Sequence, residues 1–246
     1  MRSHRVIITS SSQRGAALLI LLMLITLTIA SFLLTGTSRV QGLLDKPYKN
    51  TAVLSQAKDA LIAYSRLSDT DLSVATGLKH RYLPCPDLDG DGLEETPCGA
   101  LSAEGWLPWK TLGIPPLRDA SATCLRYFVS SSYKQGASVI PSIDPALPAG
   151  DFTFRNPIQI IASGIAALVV SPGGALAGQS RSISSGSATE CGSTLLASPV
   201  NQAVNYMDTF GVVNNALPPD FITASTQVDT LVSFNDAIFI ILPGDL

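Results

Sequence analysis

The chain has 246 residues, which is enough for one domain of ordinary size or for one domain with an attached segment. Apolar residues make up 46% of it and charged residues only 14%, against about 25% charged in an average soluble protein. The formal net charge of −3 excludes a broad basic field for nucleic acid, and the apolar content excludes a chain that is disordered throughout. The excess hydrophobicity must therefore be located along the chain.

An uncharged apolar run occupies residues 16–36, with the sequence AALLILLMLITLTIASFLLTG. As a helix this run would be about 31 Å long, which matches the hydrocarbon core of a bilayer. The leader before it carries Arg2, Arg5 and Arg14 and no acid, so we expect this end to stay cytoplasmic and the rest to be exported. The sequence predicts a single membrane crossing, and a plain signal anchor is one interpretation of it.

The junction QRGAA at residues 13–17 places a basic leader ending in Gly15 directly before the apolar run. This junction resembles the prepilin signal of type IV pilins and type II secretion pseudopilins. The resemblance implies that a prepilin peptidase cuts between Gly15 and Ala16 and methylates the new N-terminus. It further implies a single-pass inner-membrane protein with a periplasmic head, which can enter a pilus or pseudopilus.

The fold implied by the resemblance is α+β: a long N-terminal helix, membrane-spanning in its first half, packs on the antiparallel β-sheet of a globular head. The chain then divides into a cytoplasmic leader (1–15), a transmembrane helix (16–36), an exported amphipathic helix (37–67) and a head (68–246) that contains a disulfide-closed acidic loop.

The residues themselves support a second helical stretch. Leu54, Ala57, Leu61 and Tyr64 recur at i, i+3, i+7 and i+10, as on one face of a helix. Pro47 interrupts the segment before them and predicts a break near Asp45–Tyr48.

The fifth residue after the junction is Ile20, where most members of this family have Glu. In the family that Glu neutralises the N-terminal amine of a neighbouring subunit inside an apolar bundle, and a buried ammonium without a partner costs several kcal/mol. The K-type pseudopilin and some minor pilins also lack this Glu, and the chain is similar to them in this respect. Ile20 therefore favours a minor subunit at the tip or in initiation of a filament.

Beyond Leu67 short apolar runs alternate with Gly, Pro, Ser and Asp, which is typical of an antiparallel sheet with long connections. The run Ile158–Val170 is too short to span a membrane and is interpreted as core, and the Gly/Ser-rich stretch Ser180–Ser198 as an exposed excursion. The predicted strands are Leu125–Val129, Phe152–Phe154, Ala166–Val170, Gly211–Val213, Thr230–Phe234 and Ala237–Leu242.

Four cysteines, Cys85, Cys98, Cys124 and Cys191, lie in the part expected to be exported, where an even count indicates two disulfides. Three pairings are possible. We favour Cys85–Cys98 with Cys124–Cys191, because the first two cysteines flank one compact loop. A zinc site is the alternative, but the chain has no CxxC pair and no clustered His.

Inside the first cysteine loop, Asp87, Asp89 and Asp91 fit the D-x-D-x-D-G start of a calcium loop, and Glu95 falls on the ninth position. The twelfth position, where an EF-hand has a bidentate Glu, is Cys98. The sequence therefore predicts a candidate Ca²⁺ site that is not an EF-hand. An Asp/Gly-rich turn without a metal is the other interpretation.

Catalytic signals are weak. His80 is the one histidine outside the leader, and no G-x-S-x-G surrounds any Ser, so we expect no enzyme activity. Trp106 and Trp109 are either an exposed binding platform or, as we favour, packing residues at a sheet edge.

The sequence thus predicts a minor pilin or pseudopilin subunit of a type IV pilus or type II secretion system. Its expected partners are other pilin or pseudopilin subunits, the prepilin peptidase and the inner membrane, with no nucleic acid. The alternatives are a signal-anchored monomeric periplasmic ligand-binding protein and an anchored hydrolase that uses the acidic loop.

Overall fold

The computed structural model describes residues 14–76, 82–99, 101–134, 149–181, 191, 203–223 and 234–246, and within the helix it describes side chains at 18–31 and 48–67. The helix and strands follow in the order α1 (Arg14–Thr76), β1 (Ala103–Trp106), β2 (Arg126–Val129), β3 (Phe152–Arg155), β4 (Ile160–Ile165), β5 (Ala167–Ser171), β6 (Thr209–Phe210), β7 (Val213–Asn214), β8 (Asp220–Ile222) and β9 (Ala237–Ile241). Short 3₁₀ turns occupy Ala203–Asn205 and Pro243–Asp245.

The helix α1 continues through Pro47, so the break expected near Asp45–Tyr48 is wrong. A proline inside a helix removes one N–H donor, but its fixed φ near −65° is itself a helical value, and the backbone can continue past it. The chain divides into two compact units, 1–45 and 46–246, close to this point.

The predicted membrane span is corrected by the structure. Among the residues that the structure describes, no helix is both long enough and apolar enough to cross a membrane. The predicted α+β fold with a long, membrane-spanning N-terminal helix is therefore wrong as stated, and so are the transmembrane helix and the inner-membrane location with a periplasmic head.

Beyond α1 the described chain is mainly β-sheet, organised around four antiparallel strands in the order β1-β2-β5-β9. In the register, Phe128 of β2 faces Leu168 of β5, and Val169 of β5 faces Phe239 of β9. Every residue of β2 and β5 is buried, which explains why both strands are largely apolar rather than alternating, with Arg126 at the start of β2 and Ser171 at the end of β5 as the exceptions. The predicted strands at 125–129, 166–170 and 237–242 lie within one residue of the observed ones.

One face of this sheet packs against the second stretch of α1. Leu54, Ala57 and Leu61 are at most 1% exposed and share a core with Tyr127 and Val169. The helical spacing that singled out these three residues therefore marks the face that is buried, because residues three and four apart lie on one side of a helix.

The C-terminus is tied to the same helix by an ion pair. The Lys58 ammonium donates to the Asp245 carboxylate at 2.9 Å and to the Ile240 carbonyl at 3.0 Å. Leu246 completes the core at 2% exposure. The last residues of the chain therefore help to hold the helix against the sheet.

The other face of the four-stranded sheet carries a second core. Phe128, Phe152 and Phe221 meet edge to face, with ring centroids 4.8 Å apart for Phe128 and Phe221 and 5.6 Å apart for Phe152 and Phe221. Phe152 and Phe221 belong to a three-stranded sheet with the strand order β4-β3-β8. Because β3 pairs antiparallel with β4 but parallel with β8, this sheet is mixed rather than purely antiparallel as predicted.

Two strand predictions fail or cannot be followed. The segment Gly211–Val213 is largely the turn of the β6–β7 hairpin, where Gly211 has a φ of 62°. The predicted strand Thr230–Phe234 lies outside the described residues except for Phe234, which precedes β9. Most of the stretch 180–198 also lies outside them.

The core prediction for Ile158–Val170 is half wrong. Its second half is buried from Ile165 onward, but Ile158 and Ile160 are 90% and 60% exposed. The run consists of the tip of the β3–β4 turn, β4 and β5, and only β5 is covered on both faces. Apolar composition over thirteen residues could not reveal that the strands belong to different sheets.

Replacing Leu61 by Ala should destabilise the fold by about 2–5 kcal/mol, because it leaves a cavity between helix and sheet. The matched control is Leu67→Ala, since Leu67 lies on the same helix but is 72% exposed; its free energy of unfolding should change by less than about 0.5 kcal/mol. Urea unfolding of the two variants and of the unmodified chain measures both values. Equal losses for the two variants would contradict this docking.

Candidate metal centre

The acidic loop is anchored to the edge of the four-stranded sheet. The backbone of Asp87 pairs with Trp106 of β1 in an antiparallel bridge, with N–H···O distances of 3.1 and 2.8 Å. A Cβ at Gly105 would lie 2.5 Å from the Asp87 carbonyl oxygen, so glycine permits this close approach. The loop therefore starts from a fixed point on the sheet.

The Asp87 side chain organises the turn that follows. Its carboxylate is fully buried and accepts the backbone N–H of Gly90 at 2.6 Å and that of Gly92 at 2.7 Å. Both glycines have φ values near +85°, at 84° and 88°, a region that L-residues with a Cβ rarely adopt. A Cβ on Gly92 would also meet the Trp109 ring at 2.5 Å. The spacing D-x-D-G-D-G thus wraps the backbone around one carboxylate.

The four acids predicted from the sequence lie together. Ligand oxygens of Asp87, Asp89, Asp91 and Glu95 all fall within 4.8 Å of one another. Glu95 accepts the N–H groups of Leu88 at 2.5 Å and Asp89 at 3.2 Å, so the ninth position reaches back over the start of the loop. The structure therefore brings the whole predicted set into one cluster.

The charge of this cluster is unfavourable by itself. Burial raises the pKa of Asp87 to about 7, and the neighbouring carboxylates of Glu95 and Asp89 add to the rise, whereas the N–H groups of Gly90 and Gly92 oppose it. Burial also raises the pKa of Glu95, with Asp89 and Asp91 contributing. A hard divalent cation prefers carboxylate oxygens and would relieve this repulsion. The donor set therefore fits calcium, although four carboxylates supply only part of its usual six to eight oxygens.

Glu94 takes a different role that the sequence did not reveal. Its carboxylate accepts the Tyr64 hydroxyl of α1 at 3.1 Å and the backbone N–H of Cys85 at 3.0 Å. Burial, followed by the nearby Glu94 charge, raises the pKa of Tyr64 above its usual range. Two adjacent glutamates thus diverge: Glu95 joins the acid cluster, and Glu94 ties the loop to the helix.

The disulfides are the pair favoured from the sequence. Cys85 and Cys98 are bonded with their Cα atoms 5.8 Å apart, and Cys124 and Cys191 with theirs 5.5 Å apart. The first bond uses Cys98, the residue at the twelfth position of the calcium-loop pattern. The loop is therefore closed covalently where an EF-hand would close it with a metal ligand.

The two tryptophans are packing residues. Trp106 is 2% exposed and its ring meets that of Tyr206 edge to face at 5.0 Å. Trp109 is partly buried over Gly92, with the Lys110 ammonium 5.0 Å from its ring centroid. The proposed junction residues Gly15 and Ala16 lie in the first turn of α1.

Comparison with known proteins adds no family. No family model matches the chain, and no curated protein or solved structure matches it.

Calcium should raise the thermal midpoint of the full chain at neutral pH, and a chelator should reverse the rise. At 100 times the Kd, binding to the folded state alone contributes about 2.7 kcal/mol. Asp91→Asn keeps the oxygen that accepts the Leu93 N–H but loses a charge, so its calcium shift should be much smaller.

Asp220→Asn is the control for this experiment, because Asp220 is an exposed acid on β8. It should retain the full calcium shift. If calcium and chelator leave the midpoint of the unmodified chain unchanged, the loop is a metal-free turn.

Proposed function

We propose that the chain is a minor pilin or pseudopilin subunit, of the kind found in type IV pili and type II secretion systems. It would assemble into a filament through the first part of α1. The observation that carries the proposal is the Gly15–Ala16 junction, which stands directly before an uncharged helical stretch with exposed apolar side chains.

The first part of α1 offers an apolar surface on all sides. Its large side chains from Leu18 to Ile29 are about half to three-quarters exposed, for example 66% at Leu19 and 73% at Met23. A helix that is hydrophobic all round needs an apolar environment. Packing among similar helices of other subunits would supply one.

The polar groups in this stretch are satisfied locally. The Thr26 hydroxyl donates to the Met23 carbonyl at 2.9 Å, and the Thr28 hydroxyl donates to the Ile25 carbonyl at 2.8 Å. Because both hydroxyls bond to their own helix, they can enter a helix bundle without leaving an unpaired donor. This feature supports helix-to-helix assembly.

The stretch 48–67 serves the head instead. Leu54, Ala57 and Leu61 fill the core under the sheet, and Tyr64 bonds to Glu94 of the acidic loop. These contacts would fix the head on its helix, so that filament contacts made by the apolar stretch would carry the head with them.

The identity of residue 20 supports a minor role. Ile20 is 61% exposed and cannot neutralise a neighbouring N-terminal amine. A subunit in the interior of a filament would leave that amine unpaired at a cost of several kcal/mol, whereas a subunit at the tip has no such neighbour above it. The proposal therefore favours the tip or an initiating complex.

Co-expression with an active prepilin peptidase should remove the 15-residue leader, so that N-terminal sequencing of the product begins at Ala16. Gly15→Val should block this cut, because it replaces the residue on the leader side of the expected cleavage site. Gly36→Val is the matched control and should be processed normally. An unchanged N-terminus in the presence of the active peptidase would contradict the proposal.

Ile20→Glu tests the position in the filament. If the chain caps or initiates, a carboxylate at this position gains no partner amine, and filament number should fall because a charge enters an apolar contact. Counting filaments by electron microscopy in a strain that carries only this variant measures the effect. Ile29→Glu, further along the same stretch, serves as the comparison for a general effect of charge. Unchanged filament numbers with Ile20→Glu would remove the support for the tip.

A further inference from the structure

A second group of acids, remote in sequence from the calcium-loop pattern, is buried in the head. Asp208 and Asp236 are 2% and 5% exposed, and each bonds to the backbone of the other. The Asp208 N–H donates to Asp236 Oδ2 at 2.8 Å, and the Asp236 N–H donates to Asp208 Oδ2 at 3.1 Å. Two carboxylates in this arrangement are held close together in a region shielded from water.

The two carboxylates are unequally supported. Asp208 also accepts the N–H of Asn235 at 2.6 Å and the Gln179 side-chain amide at 3.1 Å, so both of its oxygens are bonded. Asp236 Oδ2 accepts the Asn215 amide at 2.8 Å, but its Oδ1 is buried and has no hydrogen-bond partner within the described part of the chain. A buried ionised oxygen without a donor is costly, and a protonated one much less so.

Among the described residues, Arg181 in the segment after β5 is the cation that faces the pair. Its hydrogen bonds to described residues end on neutral oxygens, including the carbonyls of Asn205 and Gly173, both at 2.6 Å. Its guanidinium also lies 4.9 Å from the ring centroid of Tyr206. The Asp119 carboxylate, from the segment before β2, is also close enough to interact electrostatically with the Arg181 guanidinium. The positive charge near the pair in the described part of the chain therefore does not balance two ionised carboxylates.

The pair joins the β6–β7 hairpin to β8 and to the start of β9. Asp208 precedes β6, Asp236 precedes β9, and Asn215, just after β7, links Asp236 to β8 by exchanging two bonds with Ile222, at 3.0 and 2.7 Å. The short hairpin β6–β7 has little other pairing of its own, since it consists of two residues on each strand. The hairpin also packs Val213 against Ile222 and Phe234, and its Phe210 ring meets that of Phe234 edge to face at 6.4 Å. The carboxylates therefore supply the polar part of its attachment to the head.

We propose that Asp208 and Asp236 form a proton-holding clasp, in which one proton on Asp236 Oδ1 keeps the β6–β7 hairpin joined to β8 and to the start of β9. Loss of that proton to solvent leaves two adjacent buried charges and releases the hairpin. The device is independent of filament assembly.

The direction of the pH dependence follows from burial. Burial raises the pKa of Asp236 well above its usual value, and the charge of Asp208 raises it further, whereas Asn215 and Arg181 act in the opposite direction. A group whose folded pKa lies above its unfolded value stabilises the fold fully below the unfolded pKa, about 3.8. This contribution is lost as the pH rises through the folded pKa. The clasp therefore holds in acid and opens toward alkaline pH.

Hydrogen exchange of the hairpin 209–214 in the full chain between pH 5 and pH 9, corrected for intrinsic rates, tests the clasp. Protection in the unmodified chain should fall at least tenfold across this range. Asp236→Asn mimics the protonated carboxyl and should keep its protection, whereas the exposed control Asp220→Asn should lose protection as the unmodified chain does.

Asp208→Asn provides a second and independent test if Asp236→Asn folds poorly. Without the Asp208 charge, loss of the Asp236 proton leaves a single buried charge instead of two, so the loss of protection between pH 5 and pH 9 should be smaller than in the unmodified chain. Constant protection of the hairpin in the unmodified chain from pH 5 to pH 9 would overturn the proposal. So would an undiminished loss of protection in Asp208→Asn, or an unaltered pH dependence in a folded Asp236→Asn.

Discussion

The head depends on one packing constraint: the central strands β2 and β5 are buried on both faces and must be covered on both. The second stretch of α1 covers one face through Leu54 and Leu61, and the phenylalanine cluster around Phe221 covers the other. Each fully buried Leu or Phe side chain contributes about 1.5–3 kcal/mol. The second stretch of α1 is therefore part of the core of the head. The ion pair between Lys58 and Asp245 adds a polar contact between this stretch and the C-terminus.

The same constraint positions the acidic loop. Its start is bridged to Trp106 on the edge strand of the sheet, its end is bonded to Cys85, and its Glu94 reaches Tyr64 on the helix. A loop held at three points can keep several carboxylates close together despite their mutual repulsion. Rigidity of this kind is what a low-charge chain needs if its few acids are to form a cation site.

The charged side chains that are buried in the head differ in their surroundings. Arg126 is 1% exposed, pairs with Glu104 and lies with its guanidinium 4.5 Å from the ring centroid of Trp106. Burial lowers the pKa of Arg126 to about 9. No ion pair to Asp236 occurs within the described part of the chain, and its carboxylate lies beside that of Asp208. The cost of burying charge in the head is thus offset at Arg126 by pairing with Glu104 and, in our proposal, at Asp236 by protonation.

The sequence by itself determined local features. The helical face of Leu54, Ala57 and Leu61, the main strands of the four-stranded sheet, the favoured cysteine pairing and the four clustered acids all follow from spacing, because neighbours on one turn, strand or tight loop are fixed by backbone geometry. Tertiary structure alone decided the rest. It left the Ile158 and Ile160 side chains exposed to solvent and paired β3 with β8 in parallel. It also directed the Glu94 carboxylate to the Tyr64 hydroxyl and placed Asp208 beside Asp236. It also set aside the membrane span that hydropathy had predicted, since no described helix meets the length and apolarity required. Such contacts join residues far apart in the chain, and their pairing depends on which surfaces the whole fold brings together.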